Sequence, residues 1–148
     1  MDERVPREQL ADVAERAARA GGSYLAESFR DGPVRGEYGT DDVKAEADRA
    51  AEERVVDVLS TTFPDHAVHA EEAGRSDGRG DGARYEWVVD PLDGTNNFAS
   101  GVPLFATAVA VRDGEETLAA VVYEPLTDTC HRAIRGQGTT VDGEEPKR

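Results

Sequence analysis

The sequence predicts an α+β domain in which helices are layered on a largely antiparallel sheet, and three observations predict it. Two long helical periodicities come first, mostly consecutive strand patterns follow, and the later strands are joined by tight turns rather than by helices. A doubly wound parallel sheet would alternate the two kinds of element instead. With 148 residues the chain can bury one sizeable core and is too short for two ordinary ones.

From about Pro6 to Phe29, Leu10, Val13, Ala14, Ala17, Ala18, Leu25 and Phe29 recur at near-helical spacing, and Pro6 suits a first turn. Gly21-Gly22 weakens the middle and predicts a kink. Gly32-Pro33 and the glycines to Gly39 mark a connection with room for a brief strand around Val34. A second helix is expected from Asp41 or Asp42, either a suitable cap, to Thr61, with an apolar stripe of Val43, Ala47, Ala50, Ala51, Val55, Val58 and Leu59.

After Pro64, the run His66 to Ala70 reads as a strand ending on Glu71-Glu72, and Ser76 to Gly82 reads as a mobile loop. Tyr85 to Val89 is a compact strand that ends at Asp90, and Thr95 or Asn96 opens a short helix. Strands near Leu104 to Val111, Thr117 to Tyr123 and Thr129 to Ile134, turning at Asp113-Gly114 and Pro125-Leu126, form an antiparallel meander. Gly136-Gln137-Gly138 and Val141-Asp142-Gly143 begin a further turn-and-strand unit. A meander with one face uncovered needs another layer.

The formal charge of −14 argues against nucleic acid, whose phosphates demand Lys and Arg, and against acidic membranes. Lys44 and Lys147 are the only lysines among many arginines, and acids run along the whole chain, a composition similar to that of halophilic proteins. A lone Cys130 cannot form an internal disulfide and reads as a small, half-buried apolar residue in a reducing compartment. No stretch has the length of a signal peptide's apolar segment or of a membrane span, so a cytoplasmic protein is expected.

The chemistry concentrates between Trp87 and Phe98. A strand ending at Asp90 presents a carboxylate at the sheet edge, Pro91 fixes the turn that follows, and Asp93 returns three residues later. Mg²⁺ takes oxygen ligands and often uses a few carboxylates with water and substrate phosphate. Gly94 removes a side chain where phosphate would approach backbone N–H groups, and Thr95 adds a hydroxyl at a helix start. An ordinary Asp-Pro-x-Asp-Gly turn is the bland reading, disfavoured by the buried strand before it and the Thr-x-Asn-Phe after it. An EF-hand is excluded, since Leu92 and Gly94 occupy its ligand positions. Glu71-Glu72 and Asp48, read alone, are solvated acids among 31. The glycines at Gly136 and Gly138 make no dinucleotide fingerprint, because Val141 holds the third position and no helix pattern follows.

Trp87-x-x-Asp90-Pro91-Leu92-Asp93-Gly94-Thr95-x-Asn97-Phe98 resembles the first metal-binding signature of the inositol monophosphatase family, Mg²⁺-dependent and often lithium-sensitive phosphatases. The resemblance extends to Ala20-Gly21, to Glu46-Ala47-Asp48-Arg49-Ala50-Ala51-Glu52, to Phe63-Pro64-Asp65-His66, to Glu71-Glu72, to Gly114 through Tyr123, and to Arg135-Gly136-x-Gly138. It implies the layered sandwich shared with the fructose-1,6-bisphosphatases. It also implies that Glu71, Asp90, the Leu92 carbonyl and the Thr95 hydroxyl ligate one Mg²⁺, while Asp90 and Asp93 share a second. Gly94 and Thr95 amides would hold phosphate, Asp48 would sit in the outer cation shell or bind a third metal, and Glu71 with Thr95 would deprotonate the attacking water. The substrate would be a small phosphorylated metabolite, hydrolysed by metal-activated water without a covalent enzyme intermediate. A homodimer is implied as well.

Three departures qualify that picture. Ala70 stands where a glycine commonly precedes the Glu pair, and Lys44 falls near a position that is often Thr or Ser. The family's second signature, of the Trp-Asp-x-Ala-Ala type, is absent, since Trp87 is the chain's only tryptophan. Residues 1–148 are therefore expected to be the N-terminal part of the family's domain, either belonging to a working phosphatase or forming a truncated, inactive fragment that binds metal or a partner. His66, His69 and His131 supply no replacement ligand, because Mg²⁺ prefers oxygen, and they read as structural or exposed.

Overall fold

The computed structural model describes residues 4–32, 40–70, 74–76 and 83–146, with side chains described outside 40–44 and 74–76. Helix α1 runs Arg7–Arg30, helix α2 Thr40–Thr62 and the short helix α3 Thr95–Ser100. Strands β1 (Ala67–Ala70), β2 (Gly74–Ser76), β3 (Tyr85–Asp93), β4 (Ala106–Asp113), β5 (Glu116–Glu124), β6 (Thr129–Ile134) and β7 (Gly138–Val141) form one seven-stranded sheet in the order β2-β1-β3-β4-β5-β6-β7. Only β1 and β3 run parallel; every other neighbouring pair is antiparallel. The expected α+β layering and the meander are both present.

Pro6 precedes the first turn of α1 rather than lying in it, and its carbonyl accepts from the Leu10 amide at 3.0 Å. Gly21 and Gly22 do not end this helix. They are buried in it, and each is a point of close approach: an added Cβ would lie 2.6 Å from Val55 Cγ2 at Gly21 and 2.5 Å from the Tyr123 ring at Gly22. The missing side chains let α1 press against α2 and β5 together.

Along α2, Ala47, Ala51, Val55 and Leu59 are buried as the stripe requires, while Ala50 and Val58 are only partly covered. Val43 lies where side chains are not described. The inner face of the sheet, through Trp87, Val89, Val109, Val111, Val121 and Tyr123, packs with Leu10, Ala14, Ala17 and Ala18 of α1 and with Val55 and Leu59 of α2. Leu25, Ala47, Ala51, Leu92, Phe98 and Phe105 make a second cluster, beside the third helix.

Two expected strand boundaries are corrected as well. Ser76 belongs to β2, which pairs with β1 at Val68↔Ser76, rather than starting a loop; the rest of that expected loop lies outside the described residues, as does the strand expected around Val34. The strand through Trp87 does not end at Asp90 with a turn at Pro91. It continues through Pro91 and Leu92 to Asp93, because a β-bulge admits the proline without ending the pairing.

The sheet's other face carries Val88, Ala110, Ala120 and Ala133 in one row and Ala108 and Val122 in the next. No element among the described residues covers it, and Val122 is 39% exposed.

Candidate functional site

The bulge decides the geometry of the carboxylates. In a regular strand, residues three apart point to opposite faces. Here Asp90 pairs with Ala108 and Asp93 with Ala106, so two residues of β3, Pro91 and Leu92, stand opposite the single residue Thr107 of β4. Ala106 and Ala108 are two apart and share a face, and their partners share it too. Asp90 and Asp93 therefore project from one side of the sheet, while Pro91 and Thr107 are buried on the helix side. The extra residue inverts the parity that would have separated the two acids.

Immediately beyond, Gly94 turns the chain with φ +91° and caps α3. A Cβ there would come 2.8 Å from the Leu104 carbonyl oxygen and 3.2 Å from Phe105 Cα, so the close approach of the Leu104–Phe105 backbone alone requires glycine. Asn97 fastens the same segment, its side-chain amide donating to the Leu104 carbonyl at 2.9 Å. Phe98, Phe105 and Phe29 then lock α3 down, with ring centroids 5.1 to 5.9 Å apart. The aromatic cluster makes a short helix stable enough to hold Thr95 in place.

Thr95 Oγ1 donates to the Leu92 carbonyl at 3.0 Å. The Leu92 carbonyl and the Thr95 hydroxyl are therefore adjacent, and together with the Asp90 and Asp93 carboxylates on the same strand-and-turn they offer hard oxygen alone, a chemistry suited to Mg²⁺ rather than to Zn²⁺ or copper.

Asp48 lies on α2 and is 8% exposed, so it is not the solvated helix charge that composition suggests. Ala47 and Ala51, on either side of it along the helix, share a cluster with Leu92, Phe98 and Phe105. The turn that bears Asp48 is thus seated on residues of the candidate site. One carboxylate oxygen of Asp48 and one of Asp90 are buried without a hydrogen bond, although both residues have other interactions. Glu71 falls outside the described residues, and among the described residues no three His, Cys, Asp or Glu side chains gather as a metal cluster.

The remaining candidates sit elsewhere. Cys130 is 3% exposed and its thiol is pushed up to about 11, by burial first and by Glu15 next, which leaves little thiolate at neutral pH. His66 accepts from the Trp87 indole, His131 lies 2.8 Å from Glu124, and His69 is exposed on β1. Sequence reasoning missed Thr107, since a single threonine in an apolar strand carries no signal until the bulge opposite it is known.

A model of the inositol monophosphatase family matches residues 6–148. The chain belongs to the inositol monophosphatase family. A fructose-1,6-bisphosphatase/inositol-1-monophosphatase of Aquifex aeolicus is 40% identical over 140 residues, covering 92% of this chain and 51% of that relative. The Nus factor SuhB of Escherichia coli K12 is 36% identical over 136 residues, covering 90% and 50%. Among solved structures, the inositol monophosphatase of Anabaena superposes with a TM-score of 0.78 at 29% identity, over 95% of this chain and 49% of that one. This member of the family spans about half the length of these relatives. Its family is one of generally Mg²⁺-dependent phosphatases, and because relatives named Nus factors belong to it, membership does not support the exclusion of nucleic acid drawn from charge. No helix among the described residues is long and apolar enough to cross a membrane.

Proposed function

We propose that this chain supplies the carboxylate-bearing half of a Mg²⁺-dependent phosphomonoesterase acting on a small phosphorylated metabolite such as a sugar or inositol phosphate. The observation that supports this most directly is the bulge that puts Asp90 and Asp93 on one face, beside a Leu92 carbonyl and a Thr95 hydroxyl 3.0 Å apart. Asp90, Asp93, Leu92, Thr95 and Glu71 would hold the cations, with Asp48 in their outer shell. Mg²⁺ at this position supplies counter-charge for phosphate oxygens and an acidified water.

The residues' own tasks follow from their chemistry. The Gly94 and Thr95 amides would hold the phosphate group in line with the attacking water. Glu71 with Thr95 would orient that water and take its proton. As the water oxygen bonds to phosphorus, the ester P–O bond breaks and the leaving alkoxide takes up a proton. A cytoplasmic protein that pairs as a homodimer fits the family and the single cysteine.

One observation favours a second reading. Trp87 is the only tryptophan, so no Trp-Asp-x-Ala-Ala segment is present to complete the second cation site, and a non-catalytic metal-binding or interaction fragment would keep the same carboxylates. Calorimetry with Mg²⁺ on the whole chain and on Asp90→Asn, together with phosphate release from inositol phosphates in high salt, separates the two. Both readings expect Mg²⁺ binding weakened by at least about tenfold in Asp90→Asn, since a carboxylate ligand is replaced by a neutral one. Phosphate release by the wild-type chain supports the phosphatase, and binding without release supports the fragment. No Mg²⁺ binding at all overturns both.

A further inference from the structure

Thr107 is fully buried, and its hydroxyl donates to the Pro91 carbonyl at 2.9 Å. That bond sits where the ladder between β3 and β4 is interrupted: Pro91 and Leu92 have no register partner on β4. Proline brings no N–H to a ladder, and a buried carbonyl left without a donor is expensive. The threonine side chain does locally what a backbone N–H does elsewhere in the sheet. Its γ-methyl faces α1, 3.5 Å from where a Cβ on Gly21 would stand, so the residue is wedged between the helix and the bulge.

We propose that Thr107 is a positioning residue, whose hydroxyl pins the bulge and so keeps Asp90 and Asp93 on one face of the sheet. Its hydroxyl bonds the Pro91 carbonyl, and it acts through that backbone. A bulge is a soft element, since the extra residue gives up its ladder bonds. Without the anchor, the pairing on one side of it can slip by a residue, and each slip reverses the face of every side chain beyond. The consequence for cation binding rests on the phosphatase reading above; the consequence for the bulge does not.

Two variants of the whole chain separate hydroxyl from packing. Thr107→Val keeps the branched shape and removes the donor; Thr107→Ser keeps the donor and removes the methyl. Amide hydrogen exchange in the metal-free chain is read at Leu92, Asp93 and Gly94 relative to the amides of β5, which cancels any global loss of stability. Thr107→Val should speed exchange at those three sites by about tenfold, the opening expected when a single buried hydrogen bond is lost. Thr107→Ser should stay within about twofold of the wild type, because the donor is retained. Mg²⁺ calorimetry should follow the same order, with the dissociation constant raised about tenfold in the valine variant and little changed in the serine variant.

Unchanged exchange in Thr107→Val overturns the proposal, and so does equal loosening in Thr107→Ser, which would assign the effect to packing. Weaker Mg²⁺ binding without faster exchange also overturns it. If the wild type takes up no Mg²⁺, the phosphatase reading fails, while the exchange data alone still decide the role of Thr107. Thr107→Ala, which removes the hydroxyl without adding bulk, replaces the valine variant if that chain does not fold.

Discussion

At the residue scale, the pair Trp87 and His66 couples stability to pH. The Trp87 indole N–H donates to His66 Nδ1 at 3.0 Å, and Trp87 itself is fully buried. Nδ1 can accept only in the neutral ring with its proton on Nε2. The ring stacks on Phe63 at 4.3 Å, and burial lowers its pKa below the ordinary 6.5, only partly offset by Asp65. In the window below that value the unfolded chain binds more protons than the folded one, so stability rises with pH. The contribution is complete above about pH 6.5 and fades as acid takes the pH down toward the folded pKa. Urea denaturation from pH 5 to pH 8 should show this slope, and His66→Phe should flatten it. The same variant should lose about 1–3 kcal/mol at pH 8, because a buried indole N–H loses its acceptor. An unaltered slope in His66→Phe would assign the acid sensitivity to other groups. Sequence alone placed His66 only as structural or exposed, since its partner lies 21 residues away and reaches it through the fold. The Asp90 to Thr95 run stood out in the sequence for the opposite reason, as the residues it brings together are neighbours in the chain.

At the scale of elements, α1 shows how a local cost can make sense globally. Gly21-Gly22 costs helix propensity, yet α1 is the single helix that its periodicity predicts, running from Arg7 to Arg30, because tertiary contact there is worth more than propensity. The Tyr123 ring next to Gly22 is held: its hydroxyl donates to Asp128 Oδ1 at 2.7 Å, and the Arg19 guanidinium lies 4.8 Å above it. Gly22→Ala gains about 1 kcal/mol of helix propensity but forces that ring aside, for which about 1–3 kcal/mol is the usual cost of overpacking. With the ring pinned, the net effect should be destabilising in a urea titration. In a Tyr123→Leu background the alanine should become neutral or stabilising, and a stabilising effect in the wild type would show that the ring yields freely. The bulge in β3 was similarly out of reach of pattern reading, which takes proline as the end of a strand. It was visible only once β4 supplied the register.

At the scale of the whole molecule, order of elements and layering were readable because each long element carries its own periodicity, whereas β2, three residues long, carries none. The charge was readable too, and its energetic consequence can be tested on the intact chain. A formal charge of −14 repels itself at low ionic strength. The opposing term comes from ion pairs: Arg19–Asp128 and Arg135–Glu116 join side chains that are 38–74% and 45–56% exposed and contribute about 0–1 kcal/mol each, whereas Arg84–Asp113 and Arg132–Glu15, 26–33% and 20–29% exposed, are screened less by salt. Raising KCl from 0.1 M to 1 M shortens the screening length from about 10 Å to about 3 Å. Screening thus removes more repulsion than attraction, and Tm should climb, by about 4 °C for each kcal/mol relieved. Neutralising four exposed acids, Glu53, Asp57, Glu115 and Glu145, to their amides takes the formal charge from −14 to −10. That chain should melt higher than the wild type in 0.1 M KCl and gain less from added salt. A Tm that falls with KCl, or an identical salt response in the two chains, would show that the arginine–carboxylate pairs outweigh the net repulsion.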